Sequence, residues 1–193
     1  MNETLALFER TGAYLHGHFR LTSGLHSPEY MQCALVLQHP QHAEELGSRL
    51  AKALQDLNPS TRIGVVVSPA MGGLIIGHEV ARALKVRSVF TERDANGKMI
   101  LRRGFQVQPG ETAVVIEDVI TTGGSSREVY ELLRDAGVDV VGAGSIIDRS
   151  AGEANLGVPR VALASLRVTA YPESECPLCR DGVPVEKPGS RKA

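Results

Sequence analysis

Two adjacent carboxylates, Glu117 and Asp118, stand between an apolar run, Thr112-Ala113-Val114-Val115-Ile116, and a loop of Thr121, Thr122, Gly123, Gly124 and Ser125 that leads straight into a helical stretch. Glycines let a backbone come close to a phosphate and take φ > 0. N–H groups at a helix start, reinforced by the helix dipole, make an anion site, and Thr and Ser hydroxyls add donors. Val119 through Ser125 therefore reads as a phosphate cradle. Carboxylates only accept, which suits them to sugar hydroxyls, so the pair beside the cradle describes a site for a ribose 5-phosphate. A plain strand–helix connection with a Ser or Thr cap and solvated acids shares the loop's composition but is less specific than the full arrangement. The Gly-Lys-Ser/Thr ending of a P-loop is missing, and no Gly-x-Gly-x-x-Gly follows a first strand.

The elements around this run must hold it in place. Ile63 to Val67 and Thr112 to Ile116 are continuous apolar strands, with further strands at Val86–Thr91, Val138–Ile147 and Arg160–Leu166. Ala43, Leu46, Leu50, Ala53, Leu54 and Leu57 form one stripe of a helix stopped by Asn58-Pro59. Gly72–Leu84 and Ser125–Ala136 are further helices. Upstream, a short helix with Leu5, Leu7 and Phe8 ends at Gly12, and Phe19 to Leu37 reads as strand, turn, strand. The alternation implies an α/β fold, a mostly parallel twisted sheet flanked by helices on both faces. Ligands bind such sheets outside the strands' C-terminal ends, where Glu117 and Asp118 fall. One domain is expected, with a core over 38–167 and a small hood from 1–37 and 168–193.

The bulk numbers exclude several classes. Lys and Arg total 21 against 22 Asp and Glu, which is not the footprint of a nucleic-acid binder. The longest apolar runs, such as Leu74-Ile75-Ile76, are too short to span a bilayer. With 3 cysteines and no basic N-terminal region, the expectation is a reducing, cytoplasmic setting without a disulfide framework or a membrane partner.

Val115 to Ser125 closely resembles the phosphoribosyl pyrophosphate signature of the type I phosphoribosyltransferases, and its form Glu-Asp-Val-Ile-Thr-Thr-Gly-Gly-Ser is most similar to the orotate branch. Phe19-Arg20-Leu21-Thr22-Ser23-Gly24-Leu25-His26-Ser27-Pro28 resembles that branch's N-terminal Ser-Gly-x-x-Ser-Pro segment. Ser68-Pro69-Ala70-Met71-Gly72-Gly73 resembles its pyrophosphate loop, and Asp148-Arg149 its Asp-Arg pair. The resemblance implies that Glu117 and Asp118 bind the ribose hydroxyls. It implies that Val119, Ile120, Thr121, Thr122, Gly123, Gly124 and Ser125 hold the 5′-phosphate, and that Thr121 and Arg149 contact orotate. A guanidinium suits the orotate carboxylate, which it can clamp with two bonds. The implied activity is transfer of the phosphoribosyl group to orotate, giving orotidine 5′-phosphate and pyrophosphate in pyrimidine synthesis. Mg²⁺ would enter mainly through phosphoribosyl pyrophosphate, with no metal held by protein ligands alone. Homodimerisation, with a mobile loop reaching the partner's site, is implied in the same way.

Glu92 to Gly104 is the candidate loop. It departs from the better-known pattern of several lysines and a histidine: it has one lysine, Lys98, taken as the catalytic cation alongside Asp118. Arg93 aligns with a family lysine and is taken to bind phosphoribosyl pyrophosphate. Thr22 stands where many members have a lysine. An ordinary exposed hairpin is the competing reading of this segment. Cys176-Pro177-Leu178-Cys179 resembles half a zinc knuckle, but zinc needs four ligands and Cys33 is isolated in sequence. A zinc shared by two chains, a local cap and a reversible disulfide all stay open. The tail from Pro184 to Ala193 reads as poorly ordered. Two other functions compete. A transferase for another base lacks a reason for Arg149. A nucleic-acid-binding regulator using Arg102, Arg103 and the tail sits poorly with the charge balance.

Overall fold

The computed structural model describes residues 2–21 and 23–188, so Thr22 and the last five residues lie outside the described residues. The chain divides into two compact units, Met1–Val36 with Arg167–Ala193, and Leu37–Leu166.

The first unit opens with α1 (Glu3–Arg10), capped by the Asn2 side chain, which accepts from Thr4 N–H at 2.8 Å. Its buried residues are Thr4, Leu7 and Phe8, the apolar stripe seen in sequence. An antiparallel hairpin follows, β1 (Tyr14–Arg20) and β2 (His26–Met31), with its register broken between His16 and Phe19. A regular strand alternates its faces, yet His18 and Phe19 are both buried. The bulge accounts for that, since an extra residue turns two successive side chains the same way. The first strand therefore starts five residues before the expected Phe19, at Tyr14. The second strand stops at Met31, and Cys33–Leu37 is a short helix, α2, rather than strand. Cys-Ala-Leu-Val-Leu is apolar throughout, so it carries no periodicity to separate helix from strand.

The C-terminal segment of this unit is tied to the hairpin by backbone. Tyr171 and His26 exchange N–H···O bonds of 2.8 Å, Arg20 N–H donates to Glu186 C=O at 2.7 Å, and Glu186 N–H to His18 C=O at 2.7 Å. Between these ties lie a 3₁₀ turn (Glu173–Glu175) and the short α6 (Pro177–Arg180). The expectation of a loose tail from Pro184 is thus corrected at Glu186, because the hairpin edge offers it backbone partners; residues 189–193 lie outside the described residues.

The second unit holds α3 (Pro40–Leu57), β3 (Val65–Pro69), α4 (Gly73–Leu84), β4 (Arg87–Arg93), β5 (Met99–Leu101), β6 (Thr112–Ile120), α5 (Gly124–Asp135), β7 (Asp139–Asp148) and β8 (Arg160–Ser165). The six strands lie in the order β5-β4-β3-β6-β7-β8, parallel except for β5 against β4. Successive residues of β3 and β6 face opposite sides. Val65, Val67, Ala113 and Val115 pack with Val129 and Leu133 of α5, whereas Ile116 and Leu50 meet over Gly144 on the face that α3 and α4 cover. Both faces are dry, which is why these strands are apolar without alternation. Leu46, Leu50 and Leu54 of α3 are fully buried, and removing one such leucine costs about 2–5 kcal/mol.

Strand order fixes where a ligand can sit. From β3 the chain runs outward to β4 and β5, then returns to β6 on the other side of β3. The connections leaving the ends of β3 and β6 diverge, opening the crevice found at such reversals.

Candidate active site

Two loops flank this crevice. The first, after β3, runs from Pro69 through Ala70, Met71 and Gly72 into α4, and its Ala70–Met71 peptide is cis. The second, after β6, is Thr121-Thr122-Gly123 at the start of α5. Gly123 sits at φ 80°, and a Cβ there would strike the Leu156 side chain, so both conformation and space call for glycine. As N-cap it has no side chain to accept from the first turn of α5, and uncapped N–H groups at a helix start suit an anion. Thr121, Thr122 and Gly124 are exposed.

Strand β6 extends beyond the expected Ile116, and Glu117 and Asp118 lie in its last turns of pleat. Ser126, buried in the first turn of α5, donates a short hydrogen bond to Glu117 Oε2. Burial pushes the Glu117 carboxyl up to about 7, against the pull of Ser126 and with Asp118 adding to the rise; the charge of Arg93 works the other way. Asp118 is also raised by burial, opposed by the Val119 N–H it accepts at 2.9 Å. A Cβ on Gly72 would strike the Asp118 carboxylate. The pyrophosphate-type loop thus passes directly over the acidic pair. Both carboxylates sit where a hydroxyl-bearing or cationic ligand favours their ionisation.

Arg149 follows β7, and its N–H donates to Ile120 C=O at 2.8 Å, bringing it beside the end of β6. The neighbouring Asp148 does not face the crevice mouth. It is buried and accepts from Arg160 Nη1 at 2.5 Å, Ser150 N–H at 2.7 Å and Ser150 Oγ at 2.6 Å. Burial alone would raise its carboxyl, but the bonds from Arg160 and Ser150 outweigh that and hold it below the usual range. Asp148 therefore fixes the turn that carries Arg149. The Ile120 side chain is in the core, leaving only its backbone near the loop.

Arg93, at the end of β4, is near enough to Glu117 to act on its charge, while its guanidinium is clamped by Glu128 of α5 at 2.8 and 2.9 Å. Lys98 lies in a hairpin turn beside α5. The 94–98 segment is the turn of the β4–β5 hairpin, closed by Asp94 N–H to Lys98 C=O at 2.9 Å. Lys98 lines a cavity of about 330 Å³ with Met99, Glu128, Glu131, Leu132 and Asp135, along the later turns of α5. Arg103 of the same segment pairs with Glu92 at 2.8 Å. Sequence reading missed Ser126, Glu128 and Arg160. Each is an ordinary polar residue whose partner is set only by how helix and strand cross.

Residues 35–157 match the family model described as the phosphoribosyl transferase domain. An orotate phosphoribosyltransferase of Pelotomaculum thermopropionicum is 54% identical over 191 residues, covering 99% of this chain and 98% of its own. One of Thermotoga maritima is 52% identical over 185 residues, covering 96% of each. Among solved structures, the orotate phosphoribosyltransferase of Aeropyrum pernix superposes with a TM-score of 0.67 at 29% identity, covering 84% of this chain and 93% of that one. An adenine phosphoribosyltransferase at 18% identity and TM-score 0.64 shares the fold.

Proposed function

The chain belongs to the orotate phosphoribosyltransferase family of phosphoribosyl transferase domains, and on that premise we propose that its crevice binds phosphoribosyl pyrophosphate and transfers the phosphoribosyl group to orotate. The observation that carries this reading is the acidic pair at the end of β6, lying between two glycine-bearing loops at the point where strand order reverses. The 5′-phosphate takes the start of α5, from Val119 to Ser125. The ribose hydroxyls donate to Glu117 and Asp118. The pyrophosphate lies along Ala70–Gly73, and Arg93 adds positive charge once its clamp on Glu128 is exchanged for phosphate.

Orotate brings a carboxylate to Arg149, with the exposed Thr121 as a further donor. In the reaction, the bond from C1 of the ribose to pyrophosphate breaks as the orotate ring nitrogen, having lost its proton, bonds to C1. Charge like that of an oxocarbenium ion builds on the sugar, and Glu117 and Asp118 sit where negative charge steadies it. Mg²⁺ fits this donor set, because Glu117 and Asp118 offer the hard oxygens it prefers. Arriving with the pyrophosphate, it would spread the charge of the leaving group. Lys98, exposed on the β4–β5 hairpin and lining the cavity beside Glu128 and Asp135 of α5, is assigned to the site of a second copy in a homodimer.

The test is the loss of orotate absorbance when protein, phosphoribosyl pyrophosphate and Mg²⁺ are mixed. Turnover is expected, with Asp118→Asn losing roughly a hundredfold or more in kcat and Arg149→Ala raising KM for orotate at least tenfold. Turnover with a purine base but not with orotate would overturn the assignment of the acceptor.

A further inference from the structure

Four side chains of the first unit meet although they come from two distant stretches of sequence: His18 and His26 of the β1–β2 hairpin, and Cys176 and Cys179 around α6. Their ligand atoms all lie within 4.8 Å of one another. His18 Nε2 is 2.8 Å from His26 Nδ1, 3.5 Å from Cys176 Sγ and 3.6 Å from Cys179 Sγ, and Cys179 Sγ is 3.2 Å from His26 Nδ1. His18, His26 and Cys176 are buried. From this geometry we propose a structural zinc site of two cysteines and two histidines, closed by four protein ligands within one chain.

The distances suit the ion. A tetrahedral zinc with bonds of about 2.3 Å to sulfur and about 2.0 Å to nitrogen separates its nitrogen and sulfur ligands by about 3.5 Å. Three of the four nitrogen–sulfur spacings are 3.2, 3.5 and 3.6 Å, and the fourth is within 4.8 Å. The two nitrogens must part by roughly half an ångström from the 2.8 Å of a ring N–H···N bond, and Cys179 Sγ from His26 Nδ1 by about 0.3 Å. Cys-x-x-Cys is the usual spacing for two thiolates on one zinc.

The outer contacts agree. His18 Nδ1 lies 2.7 Å from Val183 C=O. A carbonyl only accepts, so Nδ1 carries the proton and Nε2 presents its lone pair to the cluster, as in metal-bound histidines. The backbone ties at Tyr171–His26 and Glu186–His18 bracket the cysteine turn on both sides, so the ligands are held together before any ion arrives. Charge also balances: two thiolates and two neutral imidazoles cancel the ion's two charges, which matters for a buried group. Binding releases one proton from each thiol, and the His26 proton moves from Nδ1 to its other ring nitrogen. With every position filled by protein the site has no opening for substrate, so its role is to staple the hairpin to a segment some 150 residues away.

The sequence left the cysteine pair open between a zinc shared by two chains, a local cap and a reversible disulfide; the fold brings two histidines of the same chain to it. The sequence carried the clue in His18 and His26, but nothing along the chain marks them as neighbours of Cys176.

The test uses the full chain. Elemental analysis of protein purified without chelator should give one zinc per chain, unchanged in Cys33→Ser and reduced to background in Cys179→Ser and His26→Ala. Should those variants fail to fold, the unaltered protein still decides the matter. With Co²⁺ in place of zinc, it should show the intense visible bands of four-coordinate cobalt with thiolate charge transfer. Trace zinc together with weak six-coordinate cobalt bands would overturn the proposal, as would a Cys176–Cys179 disulfide found by mass in protein kept under reducing conditions.

Discussion

Ser126→Ala removes the side-chain hydrogen bond that favours the ionised form of Glu117. The parent carboxyl titrates near 7 because burial outweighs the Ser126 bond. A hydrogen bond to an ionised acceptor is worth about 1.5–3 kcal/mol, and the lower end fits a half-buried group. Loss of about 1.4 kcal/mol moves the ionisation equilibrium tenfold toward the protonated form. Near pH 7, where about half of Glu117 is ionised in the parent, roughly a tenth remains ionised in the variant. A protonated carboxyl loses part of its capacity to accept from ribose hydroxyls. KM for phosphoribosyl pyrophosphate should therefore rise about fivefold at pH 7, and the two proteins should converge by about pH 9. The sign for stability runs with the raised carboxyl. Its preference for the protonated form stabilises the ligand-free fold below the ordinary Glu range and is lost as pH rises through about 7. Steady-state KM against pH, with melting temperatures in parallel, reads both effects. Superimposable KM profiles would refute the view that Glu117 acts as an ionised acceptor tuned by Ser126.

Two further substitutions test the geometry. Gly72→Ala places a methyl group against the Asp118 carboxylate; kcat/KM should fall on the order of a hundredfold, the scale of a 1 Å misplacement, with circular dichroism unchanged. Arg160→Ala leaves Asp148 buried without its cation, which costs about 3 kcal/mol and should lower the melting temperature by roughly 6–12 °C by calorimetry.

Much of the second unit was legible in the sequence because its signals are local. A strand dry on both faces must be apolar along its whole length, so Val65–Val67 and Ala113–Ile116 announced themselves. The run from Glu117 to Ser125 carries its chemistry in consecutive residues, so its place at the end of a strand could be read without a fold. The hairpin of the first unit was read less well. A bulge at His16–Phe19 breaks the period of two on which strand reading depends, and Cys33–Leu37 has no period at all.

The sequence by itself determined the α/β class, the family, and the acidic pair with its phosphate loop, since each rests on residue type and short-range spacing. Tertiary structure alone decided that Ser126 tunes Glu117, that Asp148 and Arg160 lock the turn carrying Arg149, that Lys98 lies along α5, and that two histidines join two cysteines more than a hundred residues away. The physical reason is that hydrogen bonds and coordination act over about 3 Å, and chain order says nothing about which distant side chains the packing of helices, strands and bulges will bring within that reach.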